Sequence, residues 1–294
     1  VNPVFQIKLP ELFSFSHCLW YLDRNLDDCT HEVLDGKVRK LIGLDGSKLL
    51  LEISAPEDFL LVEVLSGKVE DPDSLVAYVT DWFDLDRDLK PFYKLIAEDP
   101  DLHPLLKLEG LRLIGIPDFF EAISWGIIGQ QINLSFAYKM KRRLTEHYGE
   151  SLEYENKRYF MFPGPEIVQQ IPVEDLKAFQ FSGRKAEYLI GIAALLASGE
   201  LSKEKINALQ SEELMLQKLI SIRGVGEWTA NYTLLKGLKT PNNIPYGDTG
   251  LDTALLKLKG IERKQNRKAV DAFFERFAGW KSYLVFYLWQ SLRS

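Results

Sequence analysis

Cysteine is scarce, and the scarcity excludes whole classes of protein. Cys18 and Cys29 are the only two in 294 residues, too few to hold an iron–sulfur cluster through cysteine alone. His17 beside Cys18 and His31 near Cys29 superficially look like a metal set, but eleven positions separate the thiols and no Cys-x-x-Cys knuckle is present. Reduced, partly buried thiols in a cytoplasmic protein are the simpler reading. No run of about 18 apolar residues exists, which argues against a membrane-spanning helix. Val1 to Pro10 lacks a basic start and a long apolar stretch, so it does not resemble a secretion signal. Internal repeats and low-complexity runs are missing as well. So is a basic excess: the net charge is −6, which argues against a protein that binds polyanions through bulk charge.

What is present suits two or three domains with a substantial core, with 46% hydrophobic and 27% charged residues. The charge is unevenly spread. Residues 1–110 hold 11 basic and 22 acidic side chains, residues 111–250 hold 16 of each, and residues 251–294 hold 9 basic and 4 acidic. A nucleic acid would therefore contact the later part of the chain and be repelled by the first. It would also have to rely on backbone amides more than on lysine and arginine.

The first 80 or so residues alternate strands with turns. Val38, Leu41 and Ile42 precede Asp45-Gly46, and Lys48 to Ser54 follows it as a hairpin partner. Phe59 to Leu65 reads as a third strand, and His17 to Asn25 as a helix. Asp81 to Asp88 reads as a bridge. Beyond it the pattern predicts helices over 90–98, 118–130, 134–148, 165–170, 173–179, 184–198, 211–221, 227–237, 249–258, 265–277 and 280–292, with Tyr148 to Gly164 as an irregular connection.

The most informative stretch is Leu219 to Tyr232, read as helix, glycine turn, helix. Gly224 and Gly226 permit torsions and close approaches that a Cβ would block, so the amides of Val225, Gly226 and Glu227 can point at an anion. The helix starting near Glu227 adds the positive end of its dipole. Sixteen residues after Tyr232 stands Asp248, which can cap the next helix or serve chemistry. At Gly129-Gln-Gln-Ile-Asn-Leu-Ser135, between two helices, Gln131 can fill the space of a base that has left a duplex, while Gln130 fixes the turn from below; a solvated kink is the plainer alternative. Ser182-Gly183-Arg184 opens another helix whose amides can meet a phosphate, or whose cations simply cover surface. Lys257 to Lys268 carries six positive charges and one negative.

Together these residues resemble the helix-hairpin-helix DNA glycosylases, in particular the bacterial 3-methyladenine DNA glycosylase II branch. Leu219 to Ala230 matches the family hairpin, with Arg223 where proline is common, and Ile244-Pro-Tyr-Gly-Asp-Thr-Gly-Leu251 resembles its catalytic loop. Phe83-Asp-Leu-Asp86, Leu111-Arg112 and Ala122 to Gln131 follow the branch's patterns. The resemblance implies a mostly α-helical helix-hairpin-helix glycosylase fold with a small N-terminal α+β domain built on an antiparallel sheet. It divides the chain into 1–82, then 83–110 with 240–294, and 111–239, with the catalytic cleft between the two helical parts. It implies Asp248 as the catalytic residue, Trp228, Tyr232 and Trp280 around the base, and Gln131, Gly183, Arg184, Gly224, Val225, Gly226, Glu227 and Thr229 on the DNA.

Some relatives place a lysine where Trp228 stands, and it attacks the sugar and leads to strand cleavage. Its replacement implies a monofunctional hydrolase of the DNA-3-methyladenine glycosylase II type, which takes duplex DNA with a damaged base and uses water as the nucleophile. No cofactor is required, although a monovalent cation can bridge phosphate and the carbonyls of Ser221 and Ile222. A monomer suffices, working in the cytoplasm on the nucleoid. Two rivals remain: excision of an oxidised purine such as 8-oxoguanine, and non-catalytic DNA binding.

Overall fold

In a computed structural model, residues 2–24, 26–262 and 267–293 are described. Expectations for Asn25 and for 263–266, the middle of the basic run and the predicted start of the helix at 265, lie outside them.

The chain opens with β1 (Val4–Lys8), α1 (Phe15–Leu22), β2 (Glu32–Leu34), β3 (Lys37–Leu44), β4 (Ser47–Ser54) and β5 (Phe59–Ser66), and the strands form one antiparallel sheet in the order β1-β5-β4-β3-β2. The expected hairpin is β3–β4, with Leu44 opposite Ser47 and Gly46 at φ +77° in the turn. Alternation along β4 sends Leu49, Leu51 and Ile53 into the main core and Leu50 to the opposite face. On that second face Leu41 and Leu50 meet Tyr159.

Tyr159 belongs to a feature the sequence reading missed. The stretch read as irregular contains the hairpin β6 (Ser151–Tyr154) and β7 (Lys157–Phe160), which covers the outer face of the sheet. Its turn uses Glu155 and Asn156 at positive φ, without the glycine that would have flagged it. Also missed was α2 (Pro72–Phe83), started by Pro72 and by the Asp71 carboxylate, which accepts the Asp73 N–H at 3.0 Å. The acidic bridge is thus partly the end of α2. There Asp84, at φ +49°, accepts from the Tyr283 hydroxyl at 2.5 Å and from Arg87 Nε at 3.1 Å. Arg112 is fully buried and stitches loops together by donating to the carbonyls of Leu12, Asp84 and Arg87.

The remaining helices are α3 (Lys90–Ala97), a 3-10 run over Pro100–Leu108, α4 (Phe119–Ile128), α5 (Leu134–Tyr148), α6 (Pro165–Val168), α7 (Val173–Ala178), α8 (Gly183–Ala197), α9 (Lys203–Asn207), α10 (Glu212–Ile220), α11 (Glu227–Thr233, continued by a π turn to Leu238), α12 (Thr249–Lys259), α13 (Arg267–Glu275) and α14 (Lys281–Ser291). Two large apolar clusters organise them. One joins the sheet with α1–α3, α12, part of α13 and α14; the other surrounds α4, which is buried along its whole length, and extends through α5, α8 and α11. The fold is mostly helical with a small N-terminal antiparallel sheet, as expected. Among the described residues no helix is long and apolar enough to cross a membrane.

Candidate active site

The hairpin is built by side chains that reach it from other elements. Ser211 caps α10 by accepting the Leu214 N–H at 3.2 Å, and after Ser221 the chain turns with Val225 N–H donating to the Ile222 carbonyl at 3.0 Å. Gly224 lies at φ +92°, and a Cβ there would stand 2.3 Å from the Tyr188 ring of α8, so only glycine fits. Gly226 differs: its φ is −87° and a Cβ would meet nothing within 4 Å. The open space beside it is suited to an approaching ligand. Gln130 Nε2 donates to the Gly224 carbonyl and to Thr229 Oγ1, both at 2.9 Å, which is the fixing role expected of it. Gln131, next along, is exposed at φ +54°.

Several DNA-facing expectations change at this resolution of detail. The Val225 N–H is committed to the turn, so the free amides of the helix start are those of Gly226, Glu227 and Trp228. Thr229 is buried, and its hydroxyl bonds the Gly126 carbonyl at 3.3 Å; its side chain braces α11 against α4 and does not face solvent. The Ile222 carbonyl already accepts the Val225 N–H, while Ser221 is exposed. Glu227 pairs with Arg267 at 2.6 Å, and Arg223 ties the turn to Glu187 of α8 at 3.0 Å. At the start of α8, Ser182 accepts the Lys185 N–H at 3.3 Å, Gly183 is half-buried and Arg184 is exposed. Lys185 turns inward to the Ile128 carbonyl at 2.8 Å.

Asp248 does cap α12: its Oδ1 accepts the Leu251 N–H at 2.8 Å. The same oxygen accepts Trp289 Nε1 at 2.8 Å, and Oδ2 accepts Trp228 Nε1 at 3.1 Å. Trp228 and Tyr232, one turn apart on α11, stack with centroids 5.4 Å apart, and Tyr232 lies 6.1 Å from Trp289. The half-buried carboxylate therefore sits at the edge of three aromatic rings. Burial holds the Tyr232 hydroxyl well above its usual range, and the charge of Asp248 adds to that, so Tyr232 stays neutral. Among the described residues no cation pairs with Asp248, and no three His, Cys, Asp or Glu side chains gather as a metal site. Cys18 and Cys29 are protonated thiols pushed up to about 12, chiefly by burial.

Trp280 is not part of this frame. It caps the other end of α14, packed on Phe92 and Tyr283 at 5.7 Å with the Arg87 guanidinium 5.7 Å away. Nine residues of helix carry the chain about 13 Å, so Trp289, not Trp280, reaches the carboxylate. Trp289 is not among the residues expected around the base, and it closes an almost wholly buried aromatic helix. Only the position of its indole N–H marks it out.

Residues 125–279 match the family described as HhH-GPD superfamily base excision DNA repair protein, and residues 19–123 match the N-terminal domain of 8-oxoguanine DNA glycosylase. The chain belongs to the HhH-GPD superfamily. It is 40% identical over 298 residues to a DNA-3-methyladenine glycosylase of Bacillus subtilis, covering 99% of this chain and 98% of that protein. It is 31% identical over 183 residues to DNA-3-methyladenine glycosylase 2 of Escherichia coli, covering 61% of this chain and 60% of that one. Among solved structures, a 3-methyladenine DNA glycosylase from Archaeoglobus fulgidus superposes with a TM-score of 0.85 at 24% identity, over 98% of both chains. This HhH-GPD enzyme is a DNA glycosylase by class. The superfamily match contains the hairpin, Trp228, Tyr232 and Asp248 but ends before Trp289.

Proposed function

We propose that this enzyme hydrolyses the N-glycosidic bond of alkylated purines, of the 3-methyladenine kind, in duplex DNA and leaves an abasic site. The observation that carries the reading is the Asp248 carboxylate, held by two indole N–H groups at the rim of an aromatic frame. A base inside a duplex hides its glycosidic bond, so the nucleotide must be everted. The amides of Gly226 to Trp228 would grip the backbone phosphate, the start of α8 at Gly183 and Arg184 would add a second grip, and Gln131 would occupy the vacated stack. Trp228, Tyr232 and Trp289 would frame the base; a positively charged alkylated purine gains from an aromatic face and is also a good leaving group.

As the C1′–N bond breaks, its electron pair leaves with the base and positive charge grows on the sugar. A carboxylate within about 4 Å stabilises that charge by roughly 4 kcal/mol at an effective dielectric near 20. Water then bonds to C1′ and releases its second proton to solvent, leaving a hydroxyl on the sugar. With Trp228 where some relatives keep a lysine, no Schiff base forms and the strand stays intact. Every group in this scheme comes from one chain, so a monomer in the cytoplasm, working on the nucleoid, is sufficient.

The names of the relatives support an alkylated substrate. The rival, an oxidised purine, draws on the N-terminal match to 8-oxoguanine DNA glycosylase. Incubation with duplexes carrying 3-methyladenine or 8-oxoguanine, assayed for free base and for breaks before alkali, separates them. Free 3-methyladenine with intact strands supports the proposal; release of only 8-oxoguanine, or strand breaks without alkali, would sink it.

A further inference from the structure

The loop that carries Asp248 must keep register with two elements at once, because the carboxylate takes Trp228 Nε1 from α11 and Trp289 Nε1 from α14. Backbone bonds inside the loop, Tyr246 N–H to the Ile244 carbonyl at 2.9 Å and Asp248 N–H to the Pro245 carbonyl at 3.1 Å, shape its turns but tie it to neither element. On the Trp289 side the tie is Ser282, in the first turn of α14. Its N–H donates to the Pro241 carbonyl at 2.9 Å, and its hydroxyl accepts the Asn243 N–H at 3.0 Å and donates to the Thr240 carbonyl at 2.5 Å.

On the hairpin side the tie is Glu212, the first residue of α10. Its Oε2 accepts the Asn242 N–H at 2.9 Å and Asn243 Nδ2 at 2.9 Å, and its Oε1 accepts Asn242 Nδ2 at 2.8 Å. Asn243 is buried, and Asn242 Oδ1 accepts the Gly279 N–H at 2.6 Å just ahead of α14. Leu219, late in α10, belongs to the apolar cluster around α4, whereas Ile244 and Leu251 belong to the cluster under the sheet. One carboxylate therefore crosses from the first cluster to the second, a few residues ahead of Asp248. Glu213 gives α10 the same first-turn charge but bonds Gln217 of its own helix at 3.2 Å.

We propose that Glu212 is a positioning residue for base release: its clasp on Asn242 and Asn243 holds the Asp248 loop against the hairpin, so that the carboxylate and the phosphate grip keep their separation. The inference rests on the glycosylase reading above. Hydrogen bonds to a charged acceptor are the strong kind, and a reacting group displaced by a fraction of an ångström loses rate steeply.

The test measures single-turnover release of 3-methyladenine from duplex, per folded molecule, beside the Kd for a duplex carrying a tetrahydrofuran abasic-site analogue. In Glu212→Ala release is expected to fall about tenfold while Kd stays within about twofold. Glu213→Gln should leave both unchanged. The decisive measurement is a double-mutant cycle: in an Asp248→Asn background, Glu212→Ala should slow release by less than about twofold further, because the group it positions is already gone. Should Glu212→Ala fail to fold, Glu212→Gln, which keeps one acceptor oxygen, is expected to lose about threefold and to be equally silent beside Asp248→Asn. Unchanged release, the same loss in both backgrounds, or a weakening of Kd as large as the loss of release overturns the role of Glu212 while leaving the glycosylase reading intact. No base release by the wild-type enzyme overturns the glycosylase reading itself.

Discussion

Asp248 accepts three hydrogen bonds from uncharged donors, whereas Asp28 and Glu121 both lean on the buried ammonium of Lys141. In the second group burial alone would push both carboxyls up, but Lys141 outweighs it and holds them below the usual carboxylate range. Lys141 is itself raised, because the two carboxylates overcome the effect of burial on it. The carboxylates are countered there by a shared cation, and the result is mechanical: the loop after α1 is tied to α4 and α5. Around Asp248 the negative charge is oriented but not cancelled, so its field is left for whatever enters the cleft. On the proposed mechanism, the difference separates a carboxylate that holds the fold from one positioned for chemistry.

The sharpest way to break that contrast is Asp248→Asn. Asparagine can keep the cap through its Oδ1, but its Nδ2 would face the Trp228 indole N–H as donor against donor, so a stability loss of about 1–2 kcal/mol is expected. Base release from alkylated duplex should fall roughly a thousandfold, the rate equivalent of about 4 kcal/mol. Single-turnover release together with a thermal melt checks both halves. Near-normal release by the variant would reduce Asp248 to a cap.

The mirror experiment is Lys141→Met. It leaves two carboxylates buried without their cation, and the expected loss is about 3 kcal/mol of stability, read from the midpoint of urea unfolding. Release per folded molecule should change little. A loss below about 1 kcal/mol would mean that the Asp28–Lys141–Glu121 group is not the tie described here.

Much of this was legible in the sequence, and the failures share a cause. The hairpin, the β3–β4 pair and the cap at Asp248 are local features, fixed by residues a few positions apart, and they were found. What failed depends on reach across the chain. Tyr148 to Gly164 looks irregular until the sheet it covers is seen, because Tyr159 is buried only by contact with Leu41 and Leu50. Trp280 and Trp289 are equivalent in composition, and only the direction of α14 decides which indole meets Asp248. Thr229 looked like a surface residue of a binding turn, yet the α4–α11 crossing is so close that a Cβ on Gly126 would lie 2.7 Å from its methyl group.

A smaller effect tests how the uncharged donors work. In Trp289→Phe the ring remains to pack against Tyr232, while the 2.8 Å bond to Asp248 is lost. Because hydrogen bonds to charged groups are worth about 1.5–3 kcal/mol, release should slow by at least about tenfold. Trp280→Phe, at the other end of α14, should leave the rate nearly unchanged. Equal effects of the two substitutions would erase the distinction between them.

The smallest effect concerns pH, where the cation-paired group should respond and in a fixed order. His31 is the upper sensor. Its Nε2–H donates to the Leu22 carbonyl at 3.0 Å, and burial lowers its pKa from 6.5 despite the attraction of Asp28. The unfolded chain therefore takes up this proton before the folded one does, so stability is full above about pH 6.5 and declines as the pH falls. For a single proton the slope is at most about 1.4 kcal/mol per pH unit. Asp28 acts lower down: its folded pKa is depressed, so its contribution is complete above about pH 4 and is lost only as the pH drops further. Thermal midpoints measured from pH 8 to pH 3 should show both declines. In His31→Gln the decline that begins near pH 6.5 should disappear while the one below pH 4 remains. If the upper decline survives that substitution, the sensor is a different group and the histidine is only a spacer between Leu22 and Asp28.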